Sequence, residues 1–415
     1  MISSLIRSLP CLRPKWTPLN FTNPNFVRLP TSHPVEEENF PGYVASRYYP
    51  TLIGEILQDR YQVVGKLGFG ASSTVWLARD MEYQRYVALK IFINATSMGQ
   101  EIDDELNIYE RIQKASQKHR GRKYVRSLLD SFDIDGPEDK HRCLVHPPLW
   151  KSVATFLRSN PVPSEQRLPP VMLAVTLHRL FLALDYLHTE CKVIHTDIKA
   201  DNLLFGIDDE SVFFDFEQNE LDSPCPRREI DGRTIYTTRE LRIPKNLGAP
   251  ILCDFGSAVR GDEQHTEDIQ PDIYRAPEVI LQVPWTYSVD IWNVGCVIFN
   301  LFLGGSLFSG QDPEFQAYRS RAHLAEMVSV FGPPPPDLRA RGQLTGKFFS
   351  EKGELSAGIR AEEHVPLETL ITGPEGENKE RFFRLVQKML QWEPEKRQSA
   401  KELAMDEWIQ MELHK

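Results

Sequence analysis

The chain has 415 residues, of which 41% are hydrophobic, 26% charged and 10% aromatic. That composition excludes collagen, a coiled coil and wholesale disorder, and is long enough to bury a large core without metals or disulfides. With 48 Lys+Arg against 58 Asp+Glu the net charge is −10, which repels phosphate backbones and favours a basic partner over nucleic acid.

The first 35 residues hold no acid, four bases (Arg7, Arg13, Lys15, Arg28) and prolines at 10, 14, 18, 24, 30 and 34. Such a segment forms no long helix. It reads as a partly disordered leader and extension over 1–54, with the Arg- and Ser-bearing composition of an organelle transit peptide as the alternative. Three β-like runs follow, Tyr61 to Leu67, Thr74 to Ala78 and Tyr86 to Ile93. Glu101 to Lys114 is then predicted as a helix, and Val171 to His188 as a longer one striped by Leu173, Leu177, Leu180, Leu184 and Leu187. Asn378 to Trp392 is predicted to be a third, with Phe382, Phe383, Val386, Met389 and Leu390 on one side. Ile291 to Gln311 is free of charge but interrupted by Asn293, Asn300 and Gly304-Gly305. It is too short to cross a bilayer, which takes about 20 apolar residues, and is expected to be a core helix. The six cysteines are scattered without a Cys-x-x-Cys pair, so a reducing compartment fits and no zinc knuckle is legible.

Three motifs carry chemistry. Leu67-Gly68-Phe69-Gly70-Ala71-Ser72-Ser73-Thr74-Val75 lies between two strand-like runs. Its glycines let backbone N–H groups approach a polyphosphate, and Val75 can cover a purine ring. By itself such a stretch is more often a simple hairpin. Lys90 ends the apolar run Val87-Ala88-Leu89; it either snorkels at a strand end or, paired with Glu105 on the next helix, meets the α- and β-phosphates of a nucleotide. His195-Thr196-Asp197-Ile198-Lys199-Ala200-Asp201-Asn202 decides between these readings, since it supplies an Asp, a Lys and an Asn at catalytic-loop spacing. Asp197 would accept the substrate hydroxyl proton, Lys199 would neutralise the transferred phosphoryl group and Asn202 would hold Mg²⁺.

Asp215-Phe216-Glu217 and Asp254-Phe255-Gly256 compete for the second metal ligand. The glycine favours Asp254, on the expectation that this turn needs a residue without Cβ, and so does the short distance to Ala276-Pro277-Glu278. Choosing Asp254 creates an insert at about 207–250 whose mixed charges (Arg227, Arg228, Arg239, Arg242 with Glu217, Glu220, Glu229, Asp231, Glu240) predict a surface excursion. Further on, Asp290 is suited to hydrogen-bond the catalytic loop, and Arg397 to pair with Glu278.

With these residues in hand, the chain resembles the eukaryotic protein kinase superfamily over about 55–412. Within it, Ser73 to Asp80, His195-Thr196-Asp197-Ile198-Lys199, His265 to Glu278 and Asp290-Ile291-Trp292 resemble the SR-protein kinases, in a fungal-type branch. The resemblance implies an α+β bilobal fold, with a small β-rich N-lobe at 55–149 and a helical C-lobe at 150–412 that carries the insert. It implies transfer of the ATP γ-phosphate to serine or threonine in arginine-serine-rich proteins, with Mg²⁺ held by Asn202 and Asp254. The nucleotide set it implies is Leu67, Gly68, Phe69, Gly70, Ala71, Ser72, Ser73, Val75, Ala88, Lys90, Glu105, His146, Leu149 and Leu204, with His146 as gatekeeper and Leu149 as the backbone donor to adenine. Ser73 replaces the usual third glycine, Pro147-Pro148 follow the gatekeeper, and Thr196 stands where most kinases carry an Arg that grips a phosphorylated activation loop. Activity without activation-loop phosphorylation is therefore expected, from a monomer that binds neither nucleic acid nor membrane and acts in cytoplasm and nucleus, a mitochondrial address being the alternative. The rival reading is a catalytically inactive scaffold.

Overall fold

The computed structural model describes residues 15–99, 101–162, 165–360, 363–373 and 375–415. The chain divides into two compact units: one holds the described residues up to Gly99 with Leu128–Pro148 and Asp209–Lys245, the other Gln100–Ser127, Leu149–Asp208 and Asn246–Lys415.

The first unit is built on a six-stranded antiparallel sheet of β1 (Ile56–Leu57), β2 (Tyr61–Phe69), β3 (Ser73–Asp80), β4 (Arg85–Asn94), β5 (Asp130–Asp135) and β6 (Lys140–His146), in the order β1-β2-β3-β4-β6-β5. Each of the three predicted strand runs is present and slightly longer than the apolar pattern marked. In β2, β3 and β4 residues on both faces are buried. A sheet buried on both sides needs a cover on each, and here the cover comes from two unexpected places.

The first is the N-terminal extension. Residues 1–14, the first part of the acid-free leader, lie outside the described residues. The chain from Trp16 on is laid along the sheet: Trp16 N–H donates to Met81 O at 2.9 Å, Arg79 stacks over the Trp16 ring, and the Gln62 amide exchanges hydrogen bonds with Leu19 at 2.8 and 2.9 Å. These are anchors for the backbone that proline spacing does not reveal.

The second cover is the insert, and the expectation of a C-lobe surface excursion is corrected. Its helix Ser211–Asp222 and hairpin Arg227–Ile230/Arg233–Tyr236 belong to the sheet unit. Cys225 and Tyr236 join the core formed by Leu57, Tyr61, Val63, Trp76 and Val87. Gly65 is what lets the helix in, because a Cβ there would come within 2.7 Å of the Phe216 ring. The mixed charges are largely docking contacts: Glu217 forms an ion pair with Arg79 at 3.1 Å and accepts from the Tyr86 hydroxyl at 2.9 Å, Arg228 pairs with Glu38, and Glu220 is 2% exposed while pairing with Arg239. Buried charges persist only with such partners.

The second unit is mainly helical. Glu101–Lys114 forms as predicted. Pro170–Tyr186 starts with Pro at its first helical position, where the missing N–H costs nothing, and continues through a wider turn, Leu187–Cys191. The combined 22 residues are long and apolar enough to span a bilayer, a possibility weighed, and rejected, from the sequence only for 291–311; Leu173, Leu177, Leu180, Phe181 and Leu184 are buried in the unit's own core. The 291–311 stretch supplies the buried helix Ser288–Ile298 and the turn Phe299–Leu303. The 378–392 helix is shorter than expected, Gly376–Gln387, because Lys388 O accepts the Gln398 N–H and the chain turns; Met389 and Leu390 are buried all the same.

Candidate active site

Two strands of the helical unit carry the ends of the site. Leu203–Ile207 pairs antiparallel with Leu247–Leu252, Leu203 opposite Leu252. Antiparallel pairing places the residue before the first strand beside the residues after the second. Asn202 and Asp254 are therefore neighbours, joined by the Cys253 N–H donating to Asn202 O at 2.9 Å. Asp215 lies instead on the insert helix of the sheet unit, bonded to Arg242.

Asp197 is fixed from several sides. Its Oδ2 accepts from Lys199 Nζ at 2.7 Å and from Asn202 Nδ2 at 3.0 Å, and its main-chain O accepts from the same Nδ2 at 2.8 Å. With Nδ2 spent on Asp197, the Asn202 amide presents its oxygen as a ligand. The side chains of Asp197 and Lys199 are 18% and 35% exposed, within reach of a substrate.

The loop itself hangs on Asp290. Its Oδ2 accepts from His195 N–H at 2.9 Å and pairs with His188 Nε2 at 2.9 Å, while Oδ1 accepts from Thr196 N–H at 2.9 Å. One helical turn on, Asn293 brackets Ile198, accepting its N–H at 3.2 Å and donating to its O at 2.7 Å. These bonds hold Thr196 at φ 65°, an outlying conformation for a β-branched residue. The Thr196 hydroxyl donates to Ser257 O at 2.7 Å. The residue in the usual Arg position thus contacts the activation segment through a neutral bond to its backbone.

Asp254 also has φ 65°. The strained residue of Asp254-Phe255-Gly256 is the aspartate, and a Cβ on Gly256 would meet only ordinary contacts at 3.6 Å. The argument from glycine for this turn is corrected accordingly. Phe255 is buried between the rings of Tyr109 (5.3 Å) and His195 (5.1 Å). Burial, with Glu105 nearby, holds the Tyr109 phenol well above its ordinary range, so it packs as a neutral group.

Beyond Asp254 the segment is tied down internally. Val259–Arg260 pairs with Val193–Ile194. Arg111 donates to Asp262 at 2.7 Å and this carboxyl is lowered to about 2. The ring of His265 stacks on Trp285 and bonds Glu267 and Arg260 O, each at 2.6 Å. Arg275 donates to Ile269 O and Gln270 O. Arg397 and Glu278, both without exposure, pair through two bonds of 2.5 and 2.7 Å.

The remaining predicted residues are distributed by unit. Leu67, Gly68, Phe69, Gly70, Ala71, Ser72, Ser73 and Val75 form the β2–β3 turn and its flanks, and a Cβ on Gly68 would point into open space. Lys90 on β4 lies opposite Val75 and Leu144, with its ammonium 4.7 Å from the Phe92 ring. Ala88 and His146 are buried register partners on β4 and β6. Glu105, Leu149 and the half-buried Leu204 belong to the helical unit. Sequence reasoning missed His188, Asn293 and Tyr109. Asn293 was findable, as a polar residue one turn from Asp290 in an otherwise apolar run.

The protein kinase domain family matches residues 61–241 and 243–409. The chain belongs to the protein kinase family. It is 40% identical over 389 residues to a serine/threonine protein kinase of Aspergillus fumigatus, covering 93% of each chain. To the serine/threonine-protein kinase SRPK of Physarum polycephalum it is 30% identical over 389 residues, 88% of this chain and 90% of that one. These relatives place it among the SR-protein kinases. A crystal structure of a kinase domain superposes with a TM-score of 0.67 at 24% identity, covering 88% and 99% of the two chains, and shows the same bilobal α+β fold. The protein is a serine/threonine protein kinase, and its family uses ATP and a divalent metal.

Proposed function

We propose that this kinase transfers the γ-phosphate of Mg²⁺-bound ATP to serines in arginine-serine-rich proteins. The observation that carries the catalytic part is the Asp197–Lys199–Asn202 cluster. The substrate hydroxyl would lose its proton to Asp197 as its oxygen attacks the γ-phosphorus and the bond to ADP breaks, while Lys199 meets the charge on the moving phosphoryl group. Lys90 would hold the α- and β-phosphates. The Asn202 amide oxygen and the Asp254 carboxylate are hard oxygen donors and suit Mg²⁺, which takes few protein ligands and completes its shell with phosphates and water. The metal would neutralise phosphate charge.

Two features support a basic substrate. The kinase carries a net charge of −10, and Glu263, Glu267, Asp268 and Asp272 of the activation segment have side chains 51–74% exposed. The relative named SRPK points the same way. In this reading the enzyme works as a monomer on protein rather than on nucleic acid or membrane, in the cytoplasm and nucleus. The test is phosphate transfer from labelled ATP and Mg²⁺ to an arginine-serine peptide and to an acidic peptide, with Asp197→Asn as control. Transfer to the first peptide alone, abolished in the variant, is expected. No transfer to either peptide, with no thermal shift on adding nucleotide, would show a scaffold instead.

A further inference from the structure

The glycine-rich turn is handled by residues that no kinase motif includes. Tyr48, in the N-terminal extension and 6% exposed, donates its hydroxyl to Ala71 O at 2.8 Å, with Gly70 O at 3.3 Å. Its ring packs on Tyr43 at 5.1 Å, and its own carbonyl accepts from Arg233 of the insert hairpin. Nearby, Phe40 meets Phe69 edge-on at 5.8 Å. Lys66, without exposure, bonds Glu37 of the extension and Tyr236 O of the insert.

In a trans peptide the C=O and the following N–H point in opposite directions. A hydroxyl that draws the carbonyls of Gly70 and Ala71 toward the extension therefore turns the N–H groups of Ala71 and Ser72 the other way. Oriented N–H groups of successive residues are what an anionic oxygen binds. Most turns of this type obtain their shape from a third glycine; here Ser73 occupies that place, and Gly70 N–H closes the turn on Ser73 O at 2.8 Å.

We propose that Tyr48 is a positioning residue for the nucleotide triphosphate: it sets the two peptide planes whose N–H groups meet phosphate oxygens, and Arg233 sets Tyr48. The proposal rests on the ATP reading above. It predicts a loss confined to the phosphate part of the ligand, whereas a merely structural Tyr48 would weaken adenosine and ATP alike, or neither.

The experiment measures ATP and adenosine binding by calorimetry on the full chain, wild type against Tyr48→Phe, with Tyr43→Phe as control. Tyr48→Phe removes one oxygen and keeps the ring. Loss of one or two such bonds is expected to raise the Kd for ATP about tenfold and leave that for adenosine unchanged. The KM for ATP should rise in parallel and that for peptide should not. Arg233→Gln should shift ATP affinity the same way, by less. Equal ATP affinity in wild type and Tyr48→Phe, or parallel losses for ATP and adenosine, would overturn the proposal while leaving the kinase reading intact. Failure of the wild type to bind ATP would overturn both.

Discussion

Replacing Asp290 by Asn changes one oxygen into an NH₂ and should disable the loop that carries Asp197. The carboxylate takes three donors: His195 N–H and His188 on Oδ2, and Thr196 N–H on Oδ1, all at 2.9 Å, in a side chain with no exposure. Asn can satisfy Thr196 with its oxygen, but its NH₂ then faces the His195 N–H, donor against donor. One charge-assisted bond is lost, worth about 1.5–3 kcal/mol, and a buried donor is left unsatisfied at about 1–3 kcal/mol. A total of about 3–5 kcal/mol, at roughly 2–4 °C per kcal/mol for a unit of this size, lowers Tm on the order of 10 °C. The Thr196 backbone at φ 65° stores strain of about 1–3 kcal/mol that these bonds hold in place. Once released, the neighbouring Asp197 shifts, and a displacement near 1 Å costs about 10²-fold in kcat. The assay is steady-state kcat with an arginine-serine peptide at saturating ATP, well below the variant's own midpoint, beside a melting curve. A variant with Tm within about 2 °C and kcat within about threefold of wild type would refute the claim that Asp290 holds the loop.

Other outcomes follow from the same geometry. Glu278→Gln leaves Arg397 charged and unpaired without solvent and should cost about 3–5 kcal/mol by denaturant unfolding, while Glu278→Leu with Arg397→Met should recover most of it. Combined Ser257→Ala, Thr266→Val and Tyr274→Phe should keep turnover within about threefold, because the segment is held by Thr196, Arg111 and Arg275 rather than by a phosphate; abolished turnover with intact folding would contradict this. His323 is buried beside Tyr318, and burial, helped by the Arg275 charge, lowers it to about 3. The unfolded chain therefore takes up a proton near pH 6.5 that the folded one refuses. Stability is unaffected by this group above that pH and falls by up to about 1.4 kcal/mol per pH unit below it. His323→Phe should flatten the decline in Tm between pH 6.5 and 4.

Legibility divided along a physical line. Asp197, Lys199 and Asn202 lie within six consecutive residues, so the chain's own geometry brings them together and spacing reveals them. The position of Asp254 beside Asn202 agrees with the choice made from its downstream distance to Glu278, whereas the strain ascribed to the glycine lies two residues earlier, on the aspartate. Strands β2 to β4 and the helix Glu101–Lys114 were visible as periodicity. The insert was misjudged because mixed charges look alike whether they face water or a buried partner. Glu217 differs from Glu229 only through Arg79 and Tyr86, more than a hundred residues away.

The sequence alone thus determined the family and which residues of the loop come together beside Asp254, since each depends on residue type and local spacing. Only the tertiary structure decided that the insert and the extension belong to the sheet, that Lys66 is buried on Glu37, that Tyr48 reaches the Gly70–Ala71 carbonyls and that Thr196 adopts a left-handed backbone. Each is a balance between the cost of burying a polar or strained group and partners supplied from distant parts of the chain, and neither side of that balance is written in a residue's near neighbours.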